Sequence, residues 1–364
     1  MDKWRETLLI LWKRYERHIS MGGLLAGFLF DLWLAKRPDS TADNLLIVLY
    51  LCIAAGLIVV LNMRTLRRQM ERDHPSEPLF LLFLLQFCFG GLASNFIILY
   101  GKSGTLGGSM LFVVLLVALA FGNEFQKERY QQLRFNVAVY YFLLLTYCVI
   151  AVPTYILHTV GATVFLVSVA LSLGLITCFL WGLFKWVFRK QEKWQMVEVS
   201  AIVGGICLVF MLLYFTHIIP PVPLSLKQIG IYHTLQKNDH GGYFATYEKP
   251  AWYVFWRDTD SKYTYAPASE AYCFSAVFAP GKLSAPIVHQ WEKYNDKTRK
   301  WELVSKFSFP INGGRDGGYR GWSAKVLSPG RWRCDIETAR GQLIGRISFS
   351  ALEGGGANLS TITL

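Results

Sequence analysis

The residues that most often do chemistry in proteins are scattered in this chain and match none of the common catalytic motifs. The sequence contains no G-x-S-x-G, no H-E-x-x-H and no phosphate-binding glycine loop. His217, His233, His240 and His289 stand singly, without the short spacings that metal ligands use. A nucleophile and a base brought together only by the fold would leave no such motif. The sequence therefore favours a protein that is not an enzyme, with no catalytic residue, metal or cofactor, and leaves a hydrolase open.

A set of polar and aromatic residues in the C-terminal third indicates binding rather than catalysis. His289 and Trp291 are two positions apart, so their side chains share one face of a strand. Aromatic rings with charged neighbours can hold a sugar ring or a peptide strand. The alternative is that the tryptophans belong to the core and the charged residues form ion pairs at strand ends. The candidate binding residues are His289, Trp291, Trp322, Lys325, Arg331 and Trp332.

Two of the seven cysteines, Cys273 and Cys334, lie in this same third of the chain, and the other five sit in apolar segments. A disulfide between them would close a long loop and add about 4 kcal/mol through the unfolded state. The alternative is two buried thiols whose Cα atoms lie more than about 7 Å apart. On the sequence we favour the separate thiols.

Three polar residues, Asp31, Gln86 and Asn95, fall inside long apolar segments. An ionisable group within a membrane span is a functional candidate by default. Asp31, however, is only five residues from Lys36 and six from Arg37, so it could pair with them at the membrane surface. We favour that structural role for Asp31, and hydrogen bonds between helices for Gln86 and Asn95.

The elements that must position these residues are of two kinds, one suited to lipid and one suited to water. Only 17% of the chain is charged, and the deficit falls between about residues 20 and 220. Seven apolar segments there have about the length that crosses a bilayer. Residues 1–19 predict an amphipathic helix at the membrane surface or packed on the bundle. The seven segments are His18–Ala35, Asn44–Met63, Pro78–Tyr100, Leu106–Gly122, Asn136–His158, Thr163–Phe188 and Val199–Ile219.

The charges between these segments predict an orientation. The second, fourth and sixth connections carry clusters of Lys and Arg, whereas the others are mixed or nearly uncharged. Basic connections stay in the cytoplasm. The N-terminus is therefore expected in the cytoplasm and residues after 220 in the periplasm of a Gram-negative cell, which also explains the net charge of +12 without nucleic acid.

After the last apolar segment the pattern changes to short alternating strands separated by turn residues. In the run from Arg331 to Ile336, Trp332, Cys334 and Ile336 share one face, while Arg331, Arg333 and Asp335 share the other. Such strands at regular spacing predict an immunoglobulin-like sandwich. The expected domains are an interfacial helix at 1–19, a seven-helix membrane domain at 20–219, a proline-rich linker at 220–224, the periplasmic sandwich at 225–352 and a flexible tail at 353–364. Lys237–Ser269 is interpreted as loop or irregular edge structure, and the tail is interpreted as mobile or a frayed edge strand.

The stretch from Tyr272 to Phe349 resembles a bacterial domain family of unknown function. The resemblance is carried by YCFSAVF, VHQWEKY, RGWSAKVLSPGRWRCDIE and GQLIGRISF in that order. It implies a small β-domain of the kind found alone or at the C-terminus of inner-membrane proteins. It implies no activity.

Three functional hypotheses follow. The first is an inner-membrane protein whose β-sandwich binds a periplasmic protein or a glycan without catalysis. The second is a transporter of small molecules or lipid with an accessory outer domain, and the third is a membrane-embedded enzyme of envelope lipid or polysaccharide metabolism. The expected partners are membrane lipid, a periplasmic protein or glycan and other membrane subunits, but not nucleic acid.

Overall fold

The computed structural model describes most of the chain in two compact units. The helical unit extends to Ile218 and omits His158–Gly161, which belong to the β-unit together with Ile219–Leu364. The helix predicted at 1–19 and most of the linker at 220–224 lie outside the described residues. The described residues are 21–33, 41–71, 79–103, 110–122, 133–186, 193–219, 223–238, 242–254, 257–280, 283–313, 317–354 and 359–364.

Each predicted apolar segment contains a helix. The described residues form α1 Met21–Trp33, α2 Thr41–Glu71, α3 Leu79–Ser103, α4 Met110–Gly122, α5 Leu133–Ala151, α6 Ala162–Trp186 and α7 Lys193–Phe215. The end of α5 continues into a π-helical turn, Val152–Ile156, which contains Pro153. A proline has no N–H to donate, so the wider turn occurs where the regular hydrogen-bond ladder is interrupted.

Five of the seven helices are long and apolar enough to cross a membrane. Those spans are Ala42–Arg64, Phe80–Ile98, Leu133–Ile156, Ala162–Lys185 and Met196–Phe215. Of the other two, α4 has 13 residues and α1 is also shorter than 18. At 1.5 Å per residue, a helix of that length covers about 20 Å, less than the thickness of a hydrocarbon core.

Glycines bring α1 and α3 into direct backbone contact. A Cβ atom added at Gly27 would lie 2.0 Å from the carbonyl oxygen of Phe87, and one added at Gly90 would lie 2.1 Å from that of Leu24. Gly23 makes a similar approach to Phe83. Small residues four positions apart allow such packing where hydrophobic attraction between helices is weak.

The β-unit contains eleven described strands in three sheets. The strands are β1 Ser225–Tyr232, β2 Thr234–Lys237, β3 Tyr243–Glu248, β4 Lys262–Tyr265, β5 Glu270–Phe278, β6 Ser284–Asn295, β7 Lys300–Asn312, β8 Tyr319–Val326, β9 Gly330–Thr338, β10 Leu343–Glu353 and β11 Leu359–Thr363. The sheet orders are β1-β5-β8, β4-β10-β9-β6-β7 and β11-β3-β2. All pairs are antiparallel except β4 with β10.

Two hydrophobic cores separate the three sheets into layers. The larger core joins the five-stranded sheet to β1 and β5, with Trp291, Ile336 and Phe349 on one side and Ile231 and Val277 on the other. The smaller core lies between the opposite face of β1 and β5 and the β11-β3-β2 sheet. The middle sheet is therefore covered on both faces over β1 and β5.

The alternating segments after residue 224 form strands, and two other segments are more regular than expected. The region Lys237–Ser269, interpreted as loop or irregular edge structure, contains β3 and the edge strand β4. The tail, expected to be mobile or a frayed edge strand, forms the edge strand β11, which pairs with β3 from Leu359 to Thr363. In both cases pairing with a distant strand provides hydrogen bonds that the local sequence does not predict.

The glycine contacts predict a specific sensitivity in the helical unit. We expect Gly27→Ala to lower the thermal unfolding temperature of the detergent-solubilised chain, since overpacking of this kind costs about 1–3 kcal/mol. Gly56→Ala in α2 is the matched control, because nothing lies within 4 Å of the added Cβ. Circular dichroism at 222 nm would measure both. A Gly27→Ala protein as stable as the control would contradict the close approach of α1 to α3.

Candidate functional site

A buried polar cluster joins the β1-β5-β8 sheet to the five-stranded sheet. Cys273 on β5 and Cys334 on β9 form a disulfide with a Cα–Cα distance of 6.7 Å. The separate thiols that we favoured from the sequence are therefore not what the structure contains, because the two strands face each other closely enough for bonding. Trp291 on β6 is the cross-strand neighbour of Cys334 and packs in the same core.

His289 bridges the same two sheets beside the disulfide. Its Nε2 is 2.8 Å from the Ser275 hydroxyl on β5, and its Nδ1 is 3.0 Å from the Ser323 hydroxyl on β8. The indole N–H of Trp291 donates to the same Ser323 hydroxyl at 2.9 Å. Each buried polar group is therefore paired, which is what burial requires.

The cluster is closed to substrates and to metal in this state. Burial lowers the pKa of His289 to about 3, so the imidazole is neutral. The ligand atoms of Cys273, His289 and Cys334 lie within 4.8 Å of one another. A metal would require both sulfurs as thiolates, and here they are bonded to each other. The arrangement therefore holds the sheets together.

The six candidate binding residues do not form one surface. His289, Trp291 and Trp332 are buried in the core, which is the alternative considered from the sequence, so these three take no part in a binding platform. The exposed Trp322 lies on β8, with its ring 5.6 Å from that of Tyr272, and Lys325 on the same strand is half-buried. Only Arg331 reaches the solvent-facing side of the five-stranded sheet.

That solvent-facing side carries a regular array of arginine and aromatic side chains that was not predicted from the sequence. Arg331 stacks on the Tyr294 ring at 3.7 Å, and Arg333 lies over the Trp301 ring at 4.5 Å. The two rings contact each other edge to face at 5.3 Å. We call Tyr294, Trp301, Arg331 and Arg333 the arginine–aromatic face. The sequence contains the information needed to predict this face. Tyr294 and Trp301 lie on either side of the turn that begins at Asn295-Asp296, and Arg331 and Arg333 share one face of β9.

Carboxylates fix the guanidinium groups of this face. Arg333 binds Glu292 with two nitrogens, and Arg331 binds Asp296 at 2.9 Å. Asp335, almost fully buried, accepts two hydrogen bonds from Arg346 at 2.7 and 2.5 Å and lies 3.7 Å from Arg333. The Arg333–Glu292 pair is largely buried, so its geometry is defined, whereas the Arg331–Asp296 pair is exposed and contributes little. Arg333 is therefore the side chain of this face that is held in place.

The edge strand β7 continues this face with exposed apolar side chains. In the described sheet β7 is the end strand and pairs only with β6. Trp291 pairs with Ser305 and Glu292 with Leu303, so Val304 is an extra residue in a β-bulge. The bulge turns Leu303 to the outer face beside Trp301. Leu303, Val304 and Phe307 are all exposed.

The polar residues of the helical unit lie in its interior. Asp31, Gln86 and Asn95 are all buried. Asn95 donates a hydrogen bond to the carbonyl of Gly91 within its own helix at 3.2 Å. Lys36 and Arg37, the expected partners of Asp31, lie outside the described residues, so that pairing stays a prediction.

With the geometry established, the chain can be compared with known proteins. Residues 284–351 match one protein family. It is described as "Protein of unknown function (DUF2914)" and covers β6 through most of β10. This match supports the predicted resemblance in the C-terminal region, although YCFSAVF lies before it. No curated protein sequence matches the chain.

Among solved structures, the chain is similar to a Pseudomonas fluorescens alkylpurine DNA glycosylase, AlkC, bound to DNA containing an abasic site analog. The alignment has 10% identity and covers 85% of this chain and 98% of the glycosylase, with a TM-score of 0.20. A similarity this low says nothing about the fold or function of either unit.

The buried histidine predicts an acid-dependent stability. The ordinary pKa of histidine is about 6.5. Between pH 6.5 and 3, His289 is therefore protonated in the unfolded chain and neutral in the folded chain. The contribution of His289 to the free energy of unfolding is then fully present above pH 6.5 and falls by about 1.4 kcal/mol per pH unit below it. We expect urea unfolding of the β-unit, followed by tryptophan fluorescence, to show this slope.

The control is His289→Gln, which keeps hydrogen-bonding groups but does not titrate. Carboxylates such as Asp335 also lose stability in acid, so the informative quantity is the difference in slope between the two proteins. Parallel pH dependences would show that His289 does not resist protonation.

Proposed function

We propose that the chain is an integral inner-membrane protein with seven crossings, a cytoplasmic N-terminus and a periplasmic immunoglobulin-like domain. Five crossings are the long described helices, and the other two are the apolar segments around the shorter α1 and α4. In this proposal the domain is a non-enzymatic binding module for a polypeptide partner in the envelope. The helical unit anchors it in lipid and can pair with other membrane subunits. Exposed apolar side chains on α6 and α7, such as Trp181, Leu208 and Leu212, suit contact with lipid.

The orientation is supported by charge and by connectivity. Basic clusters follow the second, fourth and sixth segments, as cytoplasmic connections do. The connection between α5 and α6 has no Lys or Arg, and its residues His158–Gly161 belong to the β-unit, where the Ser284 N–H donates to the His158 carbonyl at 3.0 Å. This agrees with a β-unit on the non-cytoplasmic side.

The immunoglobulin-like assignment is supported by strand order. One sheet runs β1-β5-β8 and the other contains β10-β9-β6-β7, which is the order of strands A-B-E and G-F-C-C′ in immunoglobulin domains. The disulfide joins the equivalents of strands B and F, and Trp291 on the equivalent of strand C packs in the same core. The β11-β3-β2 sheet is an addition to that plan.

The observation that carries the binding role is the exposed apolar edge beside the arginine–aromatic face. Leu303 is 53% exposed and lies on the outer face next to Trp301. Edge strands offer unpaired backbone groups to another strand, and interfaces are enriched in aromatic residues and arginine. The exposed apolar edge, the unpaired backbone groups of β7 and the neighbouring arginine side chains are together typical of a surface that binds another protein.

A polypeptide fits this site better than a glycan. Sugar rings bind aromatic faces, but guanidinium groups already cover the Tyr294 and Trp301 rings. Leu303 and Val304 add aliphatic surface, which sugar hydroxyls do not match. A glycan remains the competing outcome of the binding experiment.

Orientation is tested by fusions after Leu364. We expect alkaline phosphatase, active only outside the cytoplasm, to be active there, and green fluorescent protein exported through the Sec route to be dark. A fusion after Arg189, in the connection between α6 and α7, should give the opposite pair of results. A fluorescent Leu364 fusion would overturn the proposed topology.

Binding is tested with two matched leucine substitutions. Leu303→Glu changes the β7 edge, whereas Leu359→Glu changes a leucine that is 50% exposed on β11, the edge of a different sheet. We expect in-cell crosslinking and affinity capture of the full chain to recover an envelope protein that Leu303→Glu loses about tenfold or more, equivalent to 1.4 kcal/mol, and that Leu359→Glu retains.

Two outcomes would contradict binding of a polypeptide at the β7 edge. Equal recovery with both variants would exclude the β7 edge as the contact. Co-sedimentation with purified cell-wall sacculi that depends on Leu303 would replace the polypeptide with a glycan. Circular dichroism should be unchanged in both variants, since each side chain is at the surface.

A further inference from the structure

The helical unit contains a buried carboxylate with no hydrogen-bond partner among the described residues. Asp31 on α1 has no exposed surface, and neither of its carboxylate oxygens makes a hydrogen bond there. An unpaired charge in an apolar interior is unfavourable by several kcal/mol, so a proton or another cation must accompany it. The proposed binding role of the β-unit does not use this group.

Two further unpaired oxygens are buried on the neighbouring helices. The Tyr50 hydroxyl on α2 and the Ser94 hydroxyl on α3 are both buried without a hydrogen-bond partner among the described residues. The Tyr50 ring lies against Gly91 on α3, one turn before Asn95, since a Cβ atom added at Gly91 would lie 2.6 Å from it. Ser94, Asn95 and Tyr50 are also side chains that act electrostatically on the Asp31 carboxylate or are acted on by it. Asn95 uses its N–H group for Gly91, which leaves its amide oxygen available.

The spacing along α1 and α3 explains why these groups meet. Asp31 follows Gly27 by four residues, and Ser94 follows Gly90 by four, so each polar residue lies one turn beyond a glycine on the same helix face. Because Gly27 and Gly90 bring the two backbones into contact, the next turn brings Asp31 and Ser94 to the same level of the α1–α3 contact. The same packing leaves little freedom for either group to move apart.

The donor set indicates the kind of ligand. It comprises a carboxylate, two hydroxyls and an amide oxygen, and contains no imidazole or thiolate ligand. Oxygen donors suit hard cations, and a single carboxylate balances one positive charge. Asp43, near the start of α2, adds negative potential at Asp31, which further favours a cation.

We propose that Asp31, Tyr50, Ser94 and Asn95 form a site for one monovalent cation, Na⁺, which exchanges with a proton on Asp31. Oxygens arranged around a cation stand further apart than two hydrogen-bonded oxygens, in agreement with the unpaired Asp31, Tyr50 and Ser94 atoms. The site would couple occupancy of the bundle to the ion gradients across the membrane.

The test uses dicyclohexylcarbodiimide, which reacts with protonated carboxyl groups in apolar surroundings. The full chain in detergent is treated in choline chloride, KCl or NaCl at equal ionic strength, and the adduct on Asp31 is measured by mass spectrometry. We expect labelling that increases as the pH falls. At Na⁺ ten times its Kd, labelling should fall about tenfold, whereas K⁺ and choline should leave it unchanged.

Variants distinguish a cation site from a carboxyl group that binds only a proton. Asp31→Asn should lose the adduct, and Ser94→Ala should keep the adduct but lose protection by Na⁺. Asp43→Asn should keep both, because that residue contributes only potential. Circular dichroism verifies that each variant is folded.

Three results would overturn the proposal. Labelling that Na⁺ does not suppress would make Asp31 a proton-binding group only. Absence of labelling in wild type would mean that the carboxylate is not exchangeable. Labelling that occurs only after Lys36→Gln or Arg37→Gln would show that a salt bridge, rather than a cation site, neutralises Asp31.

Discussion

The hydrocarbon core of a bilayer accepts neither a free backbone hydrogen-bonding group nor an unpaired charge, and this constraint divides the chain. Helices satisfy their backbone groups locally, and the described apolar segments before Ile218 are helical, as the proposed membrane location requires. An open sheet leaves edges, so strands occur only after the apolar segments end. The connections that carry Lys and Arg are short and fall on one side of the predicted topology. By the same constraint, the buried Asp31 carboxylate requires a compensating charge or a proton.

In the β-unit the corresponding constraint is that polar groups between the sheets must be paired. His289 meets Ser275 and Ser323 there, and the disulfide lies beside it. Since alternate residues of a strand point in opposite directions, fixing Trp332 and Cys334 inward fixes Arg331 and Arg333 outward. The buried cluster therefore determines which residues the five-stranded sheet presents to solvent, although it has no access to solvent itself.

The sequence predicted the elements whose pattern is local and failed where distant partners decide. Alternation and turn residues were sufficient for seven of the eight strands in the β1-β5-β8 and β4-β10-β9-β6-β7 sheets. They were insufficient for β4 and β11, whose hydrogen bonds come from β10 and β3 far along the chain. The binding platform was misplaced for a related reason. A strand's period reveals that His289 and Trp291 share a face, but only packing reveals that this face is inside.

Two buried aspartates show how partners distinguish structural from functional charge. Asp335 is almost completely buried, yet Arg346 binds both of its oxygens and Arg333 is nearby. Its charge is compensated within the fold, and its role is to hold the guanidinium groups of the outer face in place. Asp31 is equally buried, but no described residue compensates it. An uncompensated carboxylate is unfavourable in that environment, so Asp31 requires a partner that the described residues do not supply. The salt bridge to Lys36 or Arg37 predicted from the sequence would make Asp31 structural, whereas the proposed exchangeable cation would make it functional.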